Sequence, residues 1–291
     1  MLQQTQVAAV IPYYERFIAR YADVHALSRA RQEDVLALWS GLGYYARGRN
    51  LHAAARRIAA LGKFPDNVRA LCDLPGIGRS TAGAIAALAF GRRAPILDGN
   101  ARRVFARCFG IEDEKALWTL AERLVPSSGV EAYTQGLMDL GATLCTRHNP
   151  QCDACPVKRG CFARRNGSAA ALPARRSRKP TPVKNATWYI LLHAREVLLV
   201  RRPPSGIWGG MWAFPEKRPA NMELAAKRKL AVLEHGFTHL RLRVQPIVCE
   251  LKRKLELADS LWLELSDASS AAVPAPVRKL LLSLAGSKQS R

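Results

Sequence analysis

The sequence predicts two domains of different class, an all-α domain followed by an α+β domain. Three observations carry this reading. Apolar residues recur at three- and four-residue steps up to about residue 144, a stretch rich in Pro and basic residues follows, and beyond it the apolar period becomes two. A chain of 291 residues has room for two cores.

In the first domain, expected over residues 1–165, Val35, Leu36 and Trp39 keep the helical period, as do Leu51, Ala54, Ala55, Ile58 and Leu61. Gly41 and Gly62 stand where helices stop, and Pro12 is read as setting Glu15 on a later helix. In LPGIGRSTAGAIAALAFG, residues 74–91, Pro75-Gly76-Ile77-Gly78 reads as a tight turn and Ser80-Thr81 as the opening of a helix that ends at Gly91. Residues 166–185 hold three prolines, five basic residues and no acid, the composition of a linker. In the second domain, residues 186–291, WYILLHA, EVLLVRRP, MWAFP and HLRLRVQPIVCEL read as strands, and 221–233 and 276–284 as helices.

Lys and Arg total 45 against 23 Asp and Glu, a net charge of +22 with a pI near 10.4. Both halves share the excess, and the cations are spread over helices and strands rather than gathered on one amphipathic helix. A nucleic acid partner is favoured over a membrane surface. No apolar run approaches the roughly 20 residues of a membrane span. Seven cysteines with no export signal indicate a reducing compartment, where clustered thiols serve as metal ligands rather than disulfides.

Cys145, Cys152, Cys155 and Cys161 form C-x6-C-x2-C-x5-C. Four thiolates suit tetrahedral zinc or a cubane iron–sulfur cluster, and spacing does not choose between them. Arg147, His148, Lys158, Arg159, Arg164 and Arg165 surround them, so a metal-pinned loop would present cations to phosphate. The glycine turn at Gly76 and Gly78, followed by a helix N-terminus at Ser80 and Thr81, makes a backbone clamp for phosphate, although many helix pairs use such a turn for packing alone. In PILDGNARRVFARCFG, Asp98 stands just ahead of a helix whose amides favour its ionised form. That suits a carboxylate facing a developing cation, and equally a plain helix cap.

This order of pieces resembles the helix-hairpin-helix DNA glycosylases that carry a four-iron, four-sulfur cluster. Within them MLQQTQV, GLGYYARGRNL, LPGIGRSTAGAI and PILDGN resemble the MutY family of adenine DNA glycosylases, and RRPPSGIWGGMWAFP and HGFTH resemble that family's Nudix-like carboxy-terminal domain. The resemblance implies a 4Fe-4S cluster on the four cysteines, in a structural, DNA-docking role. It implies a monomeric, bacterial, cytoplasmic and nucleoid-associated base-excision repair enzyme, with no membrane partner. Such an enzyme acts on double-stranded DNA with A:8-oxoguanine or A:G mispairs and hydrolyses the adenine N-glycosidic bond. Asp98 then becomes the catalytic carboxylate. Gln4, Tyr44, Gly76, Gly78, Ser80, Thr81 and Asn100 become DNA contacts, with Gln4 and Tyr44 beside the flipped adenine, and Phe237, Thr238 and His239 the 8-oxoguanine reader.

Ser80 stands where bifunctional relatives carry a nucleophilic Lys, so a monofunctional hydrolase is expected. The second domain lacks the Nudix box that would hold Mg²⁺, so recognition without hydrolysis is expected. The family's general acid, a Glu, falls two residues before Met1. The alternative reading is a non-catalytic module that binds lesion DNA.

Overall fold

The computed structural model describes residues 1–3, 5–174, 180–220 and 222–286. The chain divides into two compact units, one built from residues 1–59 with 178–291 and the other from 60–177.

The first unit opens with helices α1 (Val7–Arg20), α2 (Val24–Arg29) and α3 (Gln32–Trp39) and the start of α4 (Ala46–Leu61). Pro12 lies inside α1 rather than ending it, so Glu15 shares that helix, exposed to solvent. This corrects the sequence expectation. A proline costs a helix one N–H bond, and Val10 and Phe17, both buried on either side of it, anchor the helix regardless.

The chain returns to this unit as β1 (Val183–His193), β2 (Glu196–Arg201), β3 (Trp212–Ala213), β4 (Leu224–Lys229), β5 (Leu233–Gly236), β6 (Arg241–Leu251) and β7 (Ser260–Glu264), then α11 (Leu265–Ala268) and α12 (Ala275–Gly286). The strands form one sheet in the order β3-β2-β1-β6-β4, with β5 paired to β6 and β7 to β2. Only β1 and β6 run parallel, from Val183↔Arg241 to Leu192↔Glu250. Alternate residues of β1 go to opposite faces: Trp188, Ile190 and Leu192 join a core with Phe17, Leu36, Trp39 and Leu281, while Leu191 packs with Leu198, Ile247 and Cys249.

Two further expectations for this unit fail. The described part of the stretch, residues 222–233, forms no helix: β4 and β5 both pair antiparallel with β6. Their Ala, Lys and Leu content favours helix, but the unpaired edge of β6 offers a ladder of backbone bonds, and tertiary pairing outweighs a propensity of a few tenths of a kcal/mol per residue. β1 also begins at Val183, inside the expected linker, because Val183 and Lys184 find partners in Arg241 and Leu242.

The second unit holds α5 (Val68–Cys72), α6 (Arg79–Phe90), α7 (Gly99–Phe109), α8 (Glu114–Leu124), α9 (Val130–Asp139), a π-helical turn at Leu140–Leu144 and α10 (Phe162–Arg165). Its core joins Ile96, Ala101, Val104, Phe105, Leu117, Ala121 and Leu137. The first residues of the expected linker are tied to this unit, since Arg107 Nε donates to Leu172 O at 2.8 Å.

Candidate DNA-processing site

The glycine turn runs from α5 into α6. Gly76 has φ +75°, Ile77 N donates to Leu74 O at 3.2 Å, and Gly78 is the N-cap of α6. Gly76, Gly78 and Arg79 are exposed, so the first amides of α6 open to solvent where an anion can reach them. Ser80 and Thr81 are half-buried on the first turn. Ser80 Oγ accepts from Leu97 N at 3.0 Å, which ties α6 to the residue before Asp98. α6 also passes close beneath this segment: a Cβ at Gly83 would stand 2.2 Å from Pro95 O, so only glycine fits.

Asp98 is the N-cap of α7, and its Oδ1 accepts from Asn100 N at 3.1 Å and Ala101 N at 2.8 Å. The two sequence readings of this residue are compatible in geometry. One oxygen caps the helix while the carboxylate stays half-exposed. Asn100 Oδ1 accepts from Arg103 Nη2 at 2.8 Å, and Arg103 Nε donates to Cys145 O at 2.6 Å. The π-helical turn closes tightly on this corner, for a Cβ at Gly141 would stand 2.6 Å from Asn100 Cβ. A chain of contacts thus runs from Asp98 to the first cysteine.

Cys145, Cys152, Cys155 and Cys161 line one small cavity of about 20 Å³. Cys108, on α7, lines it too. Burial raises the Cys152 thiol, and the neighbouring Cys145, Cys161 and Cys155 raise it further. Burial pushes Cys108 up to about 12, helped by Cys161 and Cys145. Among the described residues no three Cys, His, Asp or Glu groups converge as a single metal ion requires. A lone zinc would hold its sulfurs about 3.8 Å apart at a Zn–S distance of about 2.3 Å.

Beside the thiols Arg107 is 2 % exposed. It donates to Thr146 O at 2.7 Å and Cys145 Sγ at 3.4 Å, and among the described residues no carboxylate pairs with it. A buried cation needs an opposing charge, and deprotonated thiols with a bound cluster supply one. Four thiols around one cavity, beside a buried cation, are the donor chemistry that the implied group requires. Arg147, His148, Arg159, Arg164 and Arg165 are exposed around the loop.

In the first unit Tyr44 is 45 % exposed with φ +49°, a conformation that costs a non-glycine residue free energy. Arg47 holds the place, with its guanidinium 5.2 Å from the Tyr44 ring and hydrogen bonds to Met1 O at 2.8 Å, Thr5 Oγ1 at 3.0 Å and Gly43 O at 3.3 Å. The motifs MLQQTQV and GLGYYARGRNL therefore meet through one arginine. Gln4 lies outside the described residues.

Phe237, Thr238 and His239 form the β5–β6 turn, closed by Phe237 N to Leu240 O at 2.8 Å. Phe237 is half-buried, with its ring 4.8 Å from His235 and 5.3 Å from Trp208, whereas Thr238 and His239 are exposed. Trp208 comes from RRPPSGIWGGMWAFP, so that motif supports the turn. Just after that motif, Glu216 is held by Arg202 at 2.6 Å.

Sequence reasoning passed over Arg47, Arg103, Arg107, Cys108, Trp208 and His235. A signal existed for two of them: Arg103 and Arg107 are four apart on α7 and so share a helix face.

Two family models match the chain: HhH-GPD superfamily base excision DNA repair protein over residues 1–126, and NUDIX domain over 186–283. An adenine DNA glycosylase of Buchnera aphidicola is 34% identical over 97% of this chain and 87% of its own length. The human adenine DNA glycosylase is 31% identical over 96% of this chain and 66% of its own. Among solved structures, a thermostable thymine-DNA glycosylase has a TM-score of 0.52 at 31% identity, covering 57% of this chain and 80% of that one. A non-covalent endonuclease III–DNA complex shares the fold, with a TM-score of 0.51 at 22% identity over 57% of this chain and 80% of that one. With the clamp, the capped carboxylate and the Nudix-like sheet in place, this chain belongs to the adenine DNA glycosylase family of base-excision repair enzymes.

Proposed function

We propose that this DNA glycosylase binds double-stranded DNA as a monomer, in the bacterial cytoplasm with the nucleoid, and removes adenine paired with 8-oxoguanine or guanine. Asp98 carries this reading: its carboxylate is fixed by the Asn100 and Ala101 amides and stays half-exposed beside the open N-terminus of α6. Gly76, Gly78, Ser80 and Thr81 grip a phosphate through backbone amides and so hold register on the duplex without reading bases. Tyr44, with Gln4, occupies the space of the displaced adenine; unstacking costs a few kcal/mol, which an aromatic wedge offsets.

Asp98 then faces the sugar as its bond to adenine breaks and positive charge develops. A carboxylate about 4 Å away at an effective dielectric near 20 lowers that barrier by about 4 kcal/mol. Asn100 and Arg103 keep the carboxylate aimed. No side chain in the clamp helix replaces the lysine that lyases use, Ser80 being engaged by Leu97 N, so water completes the hydrolysis.

Cys145, Cys152, Cys155 and Cys161 hold a 4Fe-4S cluster. When bound it pins their loop, and the exposed cations around it meet phosphate. Phe237, Thr238 and His239 read 8-oxoguanine, Phe237 anchored and the other two free to contact the base.

Single-turnover assays on A:8-oxoguanine duplexes, with and without a Glu-Val extension ahead of Met1, test the reading. Adenine release supports it. Duplex binding without release by either form supports the non-catalytic module, and borohydride trapping of an adduct would indicate a lyase.

A further inference from the structure

Arg49 serves none of these roles. It stands on α4 two residues past Arg47, and two residues turn a helix by about 200°, so the two side chains leave opposite sides. Arg47 reaches back to Met1, Thr5 and the Tyr44 ring, whereas Arg49 Nη1 donates to Gly209 O at 2.9 Å, 160 positions further along the chain. Arg49 is half-buried, and burial disfavours its charge. Among the described residues no carboxylate pairs with it, so the Gly209 carbonyl is what receives it.

Both ends of that bond are stiff. A Cβ at Gly48 would stand 3.0 Å from the Trp39 ring, so α4 lies close against α3, and Trp39 Nε1 donates to Gly43 O at 3.1 Å, next to Tyr44. At the other end a Cβ at Gly209 would stand 2.5 Å from Pro204 O, and Gly210 N donates to Pro203 O at 2.9 Å. Trp208, buried beside them, takes φ +54°, a conformation that costs a non-glycine residue free energy and has to be held by its surroundings. Its ring lies 5.3 Å from Phe237 and 5.5 Å from His235. A shift of the reader turn therefore reaches, through Trp208, the peptide that Arg49 holds.

On the roles proposed above for Tyr44 and Phe237, we propose that Arg49 is a positioning residue that sets the spacing between the wedge and the reader turn. By tying the peptide after Trp208 to the helix that starts behind Tyr44, it makes an 8-oxoguanine seated on the turn favour displacement of the adenine opposite. Phe237 and Thr238 decide which purine is held; Arg49 carries that choice into the release rate while touching neither base. The fold itself has other ties. Glu33 pairs with Arg201, Ser40 Oγ donates to Val273 O at 2.6 Å, and Arg278 Nη1 donates to Ser40 O at 3.3 Å, so α3 stays joined to β2 and to residues 273–278 without Arg49.

The test compares the full chain with its Arg49→Met and Arg49→Lys variants, each with the Glu-Val extension, on A:8-oxoguanine and A:G duplexes, by equilibrium affinity and by single-turnover release. Arg49→Met should cut the ratio of the two release rates at least fivefold while leaving the ratio of the two affinities within twofold of wild type. Arg49→Lys, which can still donate to Gly209 O, should recover most of the loss. Adding Phe237→Ala to Arg49→Met should lower the release ratio no further than Phe237→Ala does alone, because the two act along one line of contacts. Arg49→Gln, shorter and still polar, is read by the same criteria if Arg49→Met does not fold. Release and affinity ratios that fall together, or a release ratio that stays at the wild-type value, overturn the proposal and leave the excision reading standing. A wild-type chain that releases adenine from both duplexes alike overturns that reading and this inference with it.

Discussion

Arg103 Nε donates to the carbonyl of Cys145 at 2.6 Å, which joins the helix that Asp98 caps to the first thiol of the cysteine loop. The same guanidinium reaches Asn100 Oδ1 at 2.8 Å, one turn from the carboxylate. The loop and the carboxylate therefore share a support, and disturbing either end is felt at the other.

Removing that support gives the first prediction. Arg103→Leu removes the hydrogen bonds to the part-buried Cys145 carbonyl and Asn100 side chain, a loss of about 1–3 kcal/mol. Thermal denaturation should show the loss, and the release rate should fall with it. An unchanged melting temperature with normal release would mean that the bridge carries nothing.

Asp98 has two jobs that substitutions separate. Asn caps helices about as well as Asp, so Asp98→Asn should leave stability and duplex affinity near wild type, whereas Asp98→Ala should cost about 1 kcal/mol of stability. Circular dichroism melts of the two variants check this.

Five thiols line one cavity, but only four belong to the C-x6-C-x2-C-x5-C run. Cys161→Ser should lower the iron content and bleach the visible absorption of purified protein, while Cys108→Ser should leave both intact. Colourless, zinc-containing wild-type protein would refute the cluster assignment.

The aromatic support of the reader turn predicts a selective defect. Phe237→Ala removes contacts to Trp208 and His235 and should cut preference for A:8-oxoguanine over A:G at least tenfold. Thr238→Ser, which keeps the hydroxyl, should be silent. The comparison is of single-turnover rates on the two duplexes.

Burial lowers His235 and His52 below the usual histidine value, with Arg56 lowering His52 further. A base with a depressed folded pKa is neutral in the fold while the unfolded chain takes up a proton first. Stability is therefore full above about pH 6.5 and declines as pH falls below it. Chemical denaturation at pH 7.5 and 5.5 should show the decline, and His52→Gln with His235→Gln should flatten it.

Much of this was legible in the sequence because it is local. The glycine turn, the Asp98 cap and the cysteine run depend on residues near one another in the chain. What was hidden depends on distant pairing. Residues 224–229 carry helical composition and become strand only because β6 arrives from beyond position 240. Arg107 looks like one more surface cation of a basic protein until folding buries it against the thiols. Pro12 illustrates the converse, a strong local signal that packing at Val10 and Phe17 overrides.

The central claim, that Asp98 stabilises the sugar as adenine leaves, is tested most directly by single-turnover excision with a Glu-Val extension ahead of Met1. On an A:8-oxoguanine duplex the wild-type chain should release adenine, and Asp98→Asn should bind the duplex equally well and release it at least 10²-fold more slowly, the share expected of a term of about 4 kcal/mol after screening. Release at the wild-type rate by Asp98→Asn would contradict the claim and leave Asp98 a helix cap alone.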